Sequence, residues 1–324
     1  MIIAGQQYLI GLKKESTRGT AVDPDSGYWI PWTTVDVKPN QKNKELEQAM
    51  GRITSLKDIK VLGWNTSISF EMAFDRKLIK ELLEGLYGAI STSSDDPESG
   101  VNTHTFTVAN TNVEYPSYTI TLYNAQQEQQ FVLGTIKSLT IPLKTDDIPM
   151  VKVEFLANKY NNVSGKTASY QTSNSIFSAL DANFYIADTY SNIGSASAIN
   201  IQSAEITFER TLVGVQYLGN DTYGNIVTTD FKASCKIVLP YSANTYNTLY
   251  TGHTQRAGRI KLVDSDETIG SSINPTAQFD FPLGYIQERA EKASIKEIVG
   301  EEFTFQPIDD TTNDISRAEL ITDV

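Results

Sequence analysis

Histidine is nearly absent from this 324-residue sequence, cysteine occurs once, and no apolar run approaches the roughly 18 residues of a membrane span. The two histidines, His104 in a strand-like Thr-His-Thr and His253 in a turn-like Thr251-Gly-His-Thr254, leave histidine-based catalysis or a multi-histidine metal site without its residues. Cys235 has no partner for an internal disulfide; it lies on the apolar side of the alternating run 231–237 and reads as a buried structural thiol. Nor is there a P-loop, a G-x-G-x-x-G, a G-x-S-x-G elbow or an H-E-x-x-H motif. Asp264-Ser-Asp266-Glu267-Thr-Ile-Gly270 begins like a calcium loop but lacks the glycine at its sixth position and the distal Glu. Asp309-Asp310-Thr-Thr-Asn313-Asp314 fails in the same way, and both read as solvated turns. Residues 1–7 are too short and too uncharged for a signal peptide, so synthesis in a cytoplasm is expected, with no cofactor and no membrane partner.

What remains is a composition able to fold: 40% hydrophobic, 20% charged, mean hydropathy −0.28. The net charge of −12 is unevenly placed, with 16 basic and 19 acidic residues in 1–165 and 11 and 20 in 166–324. Adhesion to nucleic acid or anionic lipid requires phosphates to be neutralised by Lys and Arg, and here the basic residues are scattered. Such a chain lets DNA pass without holding it.

Period-two alternation dominates. In 64–72, Ile68, Phe70 and Met72 share one face and Ser67, Ser69 and Glu71 the other, the mark of a half-buried strand. The pattern returns at 118–122, 139–143, 151–155, 205–209 and 302–305, so the fold is mainly β. One segment, 75–88, has helical spacing instead (Leu78, Ile79, Leu82, Leu83, Leu86), with Asp75 at its start and Gly88 at its stop. A weaker second helix is expected at 242–251, with Tyr246, Leu249 and Tyr250 on one side. Residues 34–62 form a long polar arm loop, and the Asn/Ser/Thr-rich 158–200 includes a connector. Tyr28-Trp29-Ile30-Pro31-Trp32 reads as an N-terminal strand anchored by its rings, with a sugar-stacking platform as the alternative.

The halves share an order of elements. Strand 64–72, helix 75–88 and strands 104–108, 117–123, 131–143 and 150–157 are matched by strand 227–239, helix 242–251 and strands 259–263, 277–283, 294–298 and 301–306. A duplication into two β domains follows, residues 1–165 and 201–324, with 166–200 between them.

The run Gly11-Leu-Lys-Lys-Glu15-Ser-Thr-Arg-Gly19-Thr20-Ala21, followed by Ile30-Pro31 and a polar arm, resembles the start of tail tube proteins (major tail proteins) of long-tailed bacteriophages. So do the strand at 63–71 and the Leu82-to-Gly88 helix end. The late segments Ala204-Glu205-Ile206-Thr-Phe208, Tyr217-Leu218-Gly219, 227–251 and Phe279-Asp-Phe281-Pro282-Leu283 resemble that family's second half. Asn225-Ile226-Val227 departs from it, standing where a Gly-rich approach to the strand is usual.

The resemblance implies two tandem tail-tube-like β-sandwich or half-barrel domains, each with a short amphipathic helix, and a structural, non-enzymatic role in a virion tail. Subunits would close into rings, of three chains with pseudo-sixfold symmetry or of six, and the rings would stack. About 24 strands at ~4.8 Å spacing and ~45° tilt close a bore of roughly 50 Å. It further implies tape measure, tail terminator and tail tip proteins as partners, with genomic DNA passing without specific binding. Candidate inter-subunit contacts are Lys42, Glu45, Glu47, Arg52, Lys57 and Asp58 in the arm and Asp309 and Asp310 in the acidic tail, both reaching adjacent rings. A carbohydrate-binding β module and a β-sandwich hydrolase with paired carboxylates are the competing classes.

Overall fold

In a computed structural model of the chain, the residues described are 5–24, 28–49, 53, 56–124, 126–145, 147–170, 176–241, 244–293 and 299–323. The first half contains β1 (Tyr8–Lys14), β2 (Trp29–Ile30), β3 (Trp32–Glu47), β4 (Leu56–Ala73), α1 (Arg76–Tyr87), β5 (Gly88–Ser94), β6 (Asn102–Val108), β7 (Tyr118–Asn124), β8 (Gln127–Lys144), β9 (Met150–Ala157) and β10 (Tyr160–Val163). The second contains β11 (Ala182–Ala187), β12 (Ser203–Gln216), β13 (Tyr223–Pro240), α2 (Thr245–Thr251), β14 (Arg256–Val263), β15 (Thr276–Lys292), β16 (Gly300–Pro307) and β17 (Arg317–Thr322).

All pairing between these strands is antiparallel. One face-forming sheet runs β3-β4-β9-β8-β12-β13-β16-β15, four strands from each half, joined where β8 meets β12. A second layer in the first half runs β10-β8-β7-β1-β2, and its counterpart in the second runs β17-β15-β14-β11. The long strands β8 and β15 belong to both layers, their first halves in one and their second halves in the other.

The halves therefore repeat one order, β1, β3, β4, α1, β7, β8, β9, β10 against β11, β12, β13, α2, β14, β15, β16, β17. Even the irregularities recur. The β8–β9 ladder skips Lys137 and the β15–β16 ladder skips Gln287; β3–β4 shifts register after Lys42 and β12–β13 after Thr211. A bulge is a backbone feature that redirects a strand, so its recurrence marks equivalent positions more securely than side-chain identity does. The counterpart of 259–263 is thus β7, where the sequence order suggests 104–108. The β5–β6 hairpin is an addition to the first half, and it docks on β17 of the second. The expected strand at 294–298 lies outside the described residues.

Helix α1 forms as its spacing predicts. The Asp75 carboxylate accepts hydrogen bonds from the Lys77 and Leu78 amides at 3.0 and 3.1 Å, and Gly88 closes the helix at φ 83°. Such an N-cap is worth about 1 kcal/mol. Leu78, Ile79, Leu82, Leu83 and Leu86 are buried beneath the sheets. Helix α2 is shorter than expected and buries Tyr246 and Leu249, while Tyr250 stays exposed. Between the layers one core runs through both halves: Phe70 stacks on Phe155, Tyr87 of α1 meets Phe208 of β12, and Tyr246 stacks on Phe303.

Two expectations change in secondary structure. Residues 34–47 and 56–62 are strands where the sequence suggested a loop: 34–38 lie along the edge of the sheet with Val35 and Val37 half-buried against the core, and 43–47 with 56–61 form a two-stranded ribbon beyond it. Both ribbon faces are solvated, which erases the alternation that reveals a strand. The stretch read as a connector contains β11, and the acidic tail contains β17, paired within the chain to β6 and β15.

Candidate assembly surfaces

A sheet of eight strands has two edges. Among the described residues β3 pairs with β4 alone, and residues 285–292 of β15 pair with β16 alone. Both edges carry features that discourage indiscriminate strand pairing. In β3, Pro39 has no N–H, and Asp36 and Lys38 are exposed and ion-paired to each other. On β15, Arg289 forms an ion pair with the fully buried Glu301. The equivalent positions in the first half are Leu139 and Val151, both buried. An apolar contact inside the chain thus becomes a charged one at its open edge.

One side of this sheet is covered by the core and the other is polar. Along the polar side Asp36 and Lys38 continue into Ser67 and Ser69, Lys152 and Glu154, and Ser138 and Thr140, which together line one open cleft. Across the β8–β12 junction Glu209 and Lys232 line a second, with Lys137 and Glu154. The charges are mutually neutralised: Lys137 to Glu154 at 2.9 Å, Lys236 to Glu302 at 2.9 Å and Lys292 to Glu302 at 2.6 Å. Hydrogen bonds from Lys292 and Lys236 hold the Glu302 carboxyl below the usual range. Burial pushes Glu154 up, but hydrogen bonds from Lys137 and Ser67 outweigh it and leave it lowered.

The junction is fixed by Arg210 of β12, whose guanidinium donates to the Gly85 and Leu86 carbonyls at 2.6 and 3.2 Å and lies over the Tyr115 ring at 4.2 Å. A second-half strand thereby closes the C-terminal end of the first-half helix, where cations are favoured.

The residues singled out from sequence fall in two places. In the ribbon, the Lys42 ammonium lies over the Tyr223 ring at 4.5 Å, and Glu45 and Glu47 are exposed opposite Ile59 and Leu56. Lys57 donates to Gln48 at 3.0 Å, and Asp58, lowered by its hydrogen bond from Lys60, also accepts from the Ile59 amide. Arg52 lies outside the described residues. Asp309 and Asp310 sit between β16 and β17, where they accept backbone hydrogen bonds from Thr311 and from Thr312 and Asn313. Sequence reading passed over Asp36, Arg289 and Lys292. The signal for the β3 edge was Pro39, since proline inside a strand belongs at an edge.

The ribbon is also apolar. Leu46, Leu56, Ile59, Val61 and Leu62 are each between 43% and 55% exposed. The equivalent β12–β13 hairpin exposes Val213, Tyr217 and Leu218. It lies across the first half: Asn158 holds both the N–H and the C=O of Tyr223, Asn65 donates to the Tyr223 hydroxyl, and the Trp64 amide donates to Asp221.

Other candidate chemistry finds no assembled site. Trp29 is 2% exposed and Trp32 donates its indole N–H to the Tyr8 carbonyl at 2.7 Å, so these rings anchor the N-terminal strand and Trp29 cannot stack on a sugar. His104 is buried in β6 with Thr92 at 2.8 Å from its Nδ1, and Cys235 is buried. Among the described residues no group of three or more His, Cys, Asp or Glu could hold a metal, and no helix is long and apolar enough to cross a membrane.

A mainly antiparallel β fold with a broad polar sheet has, at its two open edges, backbone groups on which another chain can pair. Consistent with that, the sequence model of the phage tail tube protein family matches residues 5–307, and the chain belongs to this family. Its role is structural, in a virion tail tube built by self-assembly. No curated protein matches the chain.

Proposed function

We propose that three copies of this chain close into a ring with pseudo-sixfold symmetry, that the rings stack into the tail tube, and that the bore conducts DNA during genome delivery. The observation that carries the reading is the internal β8–β12 junction, which already joins two four-stranded units edge to edge. Residues 1–165 and 201–324, the latter extended back to take in β11, serve as the two tail-tube-like domains. Three chains supply six units and about 24 inner strands, enough for a bore of roughly 50 Å. The polar side of the sheet faces the lumen. Its interleaved charges present no basic surface on which phosphates would be retained through counterion release.

The β3–β4 ribbon, with Lys42, Glu45, Glu47, Lys57 and Asp58, reaches a neighbouring unit or ring, and the Asp309–Asp310 loop adds a second contact. Tape measure and terminator proteins meet the tube inside and at its ends. Negative-stain microscopy of the concentrated protein, alone and with a tail-tip initiator, tests the proposal: rings or tubes with three copies per ring are expected. A chain that stays monomeric under both conditions refutes it.

A further inference from the structure

Deepening the ring reading, on which it rests, we infer the register of the seam between chains: β15 pairs antiparallel with β3 of a second copy, placing Lys292 opposite Asp36, Ala290 opposite Lys38 and Glu288 opposite Asn40.

The argument is a translation of a junction the chain already contains. Inside the chain β8 pairs with β12 in the register Pro142 to Glu205, Thr140 to Thr207 and Ser138 to Glu209. The skipped residues Lys137 and Gln287 align β8 with β15, and the same alignment brings Ile136 onto Ile286 and Gly134 onto Gly284. The register shifts after Lys42 and Thr211 align β3 with β12, bringing Asp36 onto Glu205 and Lys38 onto Thr207. Each strand of the internal junction therefore has one counterpart, and both counterparts are the open edges.

Chemistry on the polar side fits the result. Directly opposed residues in a sheet share a face, so Asp36 meets Lys292, and Lys38 lies diagonal to Glu288. A slip of one residue would set Val37, half-buried against the core, opposite a residue of β15 that points to the polar side. Farther along β3, Gln41 takes the place of Arg210, which sets its amide at the C-terminal turn of α2 in the neighbouring copy as Arg210 is set at that of α1. Pro39 takes the place of Phe208 and covers Arg289.

Paired cysteines test the register, with Cys235 buried and giving little background. Neighbouring pairs in an antiparallel ladder alternate in geometry, so both Asp36→Cys/Lys292→Cys and Val37→Cys/Glu291→Cys are made. Asn40→Cys/Lys292→Cys, displaced by roughly 13 Å along the strand, is the control. Each variant is assembled, checked for tubes by microscopy, oxidised mildly and run without reductant. The seam predicts covalent species ending at three chains for at least one of the first two pairs and not for the control. Tubes that form without either cross-link, or that cross-link only in the control, overturn the register and leave the tube reading standing. Parent protein that forms no ring or tube under any condition overturns both. A ladder extending to six overturns the closure at three.

Discussion

Gly134 of β8 and Gly284 of β15 stand at the same bend in equivalent strands, each where its strand passes from one layer to the other. A Cβ on Gly134 would lie 2.7 Å from the Tyr118 carbonyl oxygen, and one on Gly284 would lie 2.6 Å from the Phe305 ring and 2.7 Å from the Gln306 carbonyl oxygen. Backbone oxygens cannot swing aside as side-chain ends can. Gly134→Ala and Gly284→Ala should each destabilise the chain by about 1–3 kcal/mol, the usual cost of overpacking. Urea unfolding measures this, and unchanged midpoints would contradict the packing.

Glu98 joins the β5–β6 hairpin of the first half to the β14–β15 loop of the second. Its carboxylate accepts from the Ser271 and Ser272 amides at 2.6 and 2.9 Å and from the Ser271 hydroxyl at 2.6 Å. These bonds, the Ser271 hydroxyl first, lower its pKa from 4.5 to about 2. A carboxyl depressed on folding contributes stability that is full above its unfolded pKa and is lost as pH falls through the folded one. Carboxyl-carbon NMR should therefore show Glu98 titrating near 2, with the 271–272 amides losing protection over the same range. Titration at the ordinary 4.5 would show that the anchor is absent in solution.

The Arg289–Glu301 pair is predicted to be costly to break and cheap to replace. Arg289→Ala alone strands the fully buried Glu301 carboxylate, a loss of about 3 kcal/mol or more. Arg289→Leu with Glu301→Val, copying Leu139 and Val151, should recover that stability while increasing self-association before assembly, because the edge loses its charge. Chemical denaturation and light scattering read the two effects separately.

Removing apolar surface from the ribbon should leave the fold intact. Leu46→Ser, Leu56→Ser and Ile59→Ser combined are expected to shift the thermal midpoint of the free chain little, since these residues pack on no core. Tube length under the microscope should fall sharply. Normal tubes from this variant would show that the ribbon makes no assembly contact.

Much of the inner sheet was legible because one of its faces is buried: Ile68, Phe70 and Met72 alternate with Ser67, Ser69 and Glu71 in sequence and in space. Helix α1 was legible for the same reason at another period. The ribbon was not, since past Gly63 both faces meet water and no side-chain rhythm remains. In β17, Ala318 and Leu320 are buried and do alternate, but the acidic run before them masked so short a signal. The repeat could be read as an order of elements and not as a register, because what it preserves is the placement of bulges. The edge chemistry escaped for a related reason. Arg289 and Glu301 stand where a core pattern calls for apolar residues, and only the pairing shows that an edge runs beside them.

The β5–β6 hairpin, present in the first half and docked on β17 of the second, breaks the equivalence of the halves on the layer away from the polar face. A ring of three would then offer two different periodicities. In such a ring a molecule sliding through the bore would meet nearly the same wall every 60°, while anything gripping it from outside would find its landmark only every 120°. The inside and the outside of such a ring would then be read by partners of different symmetry.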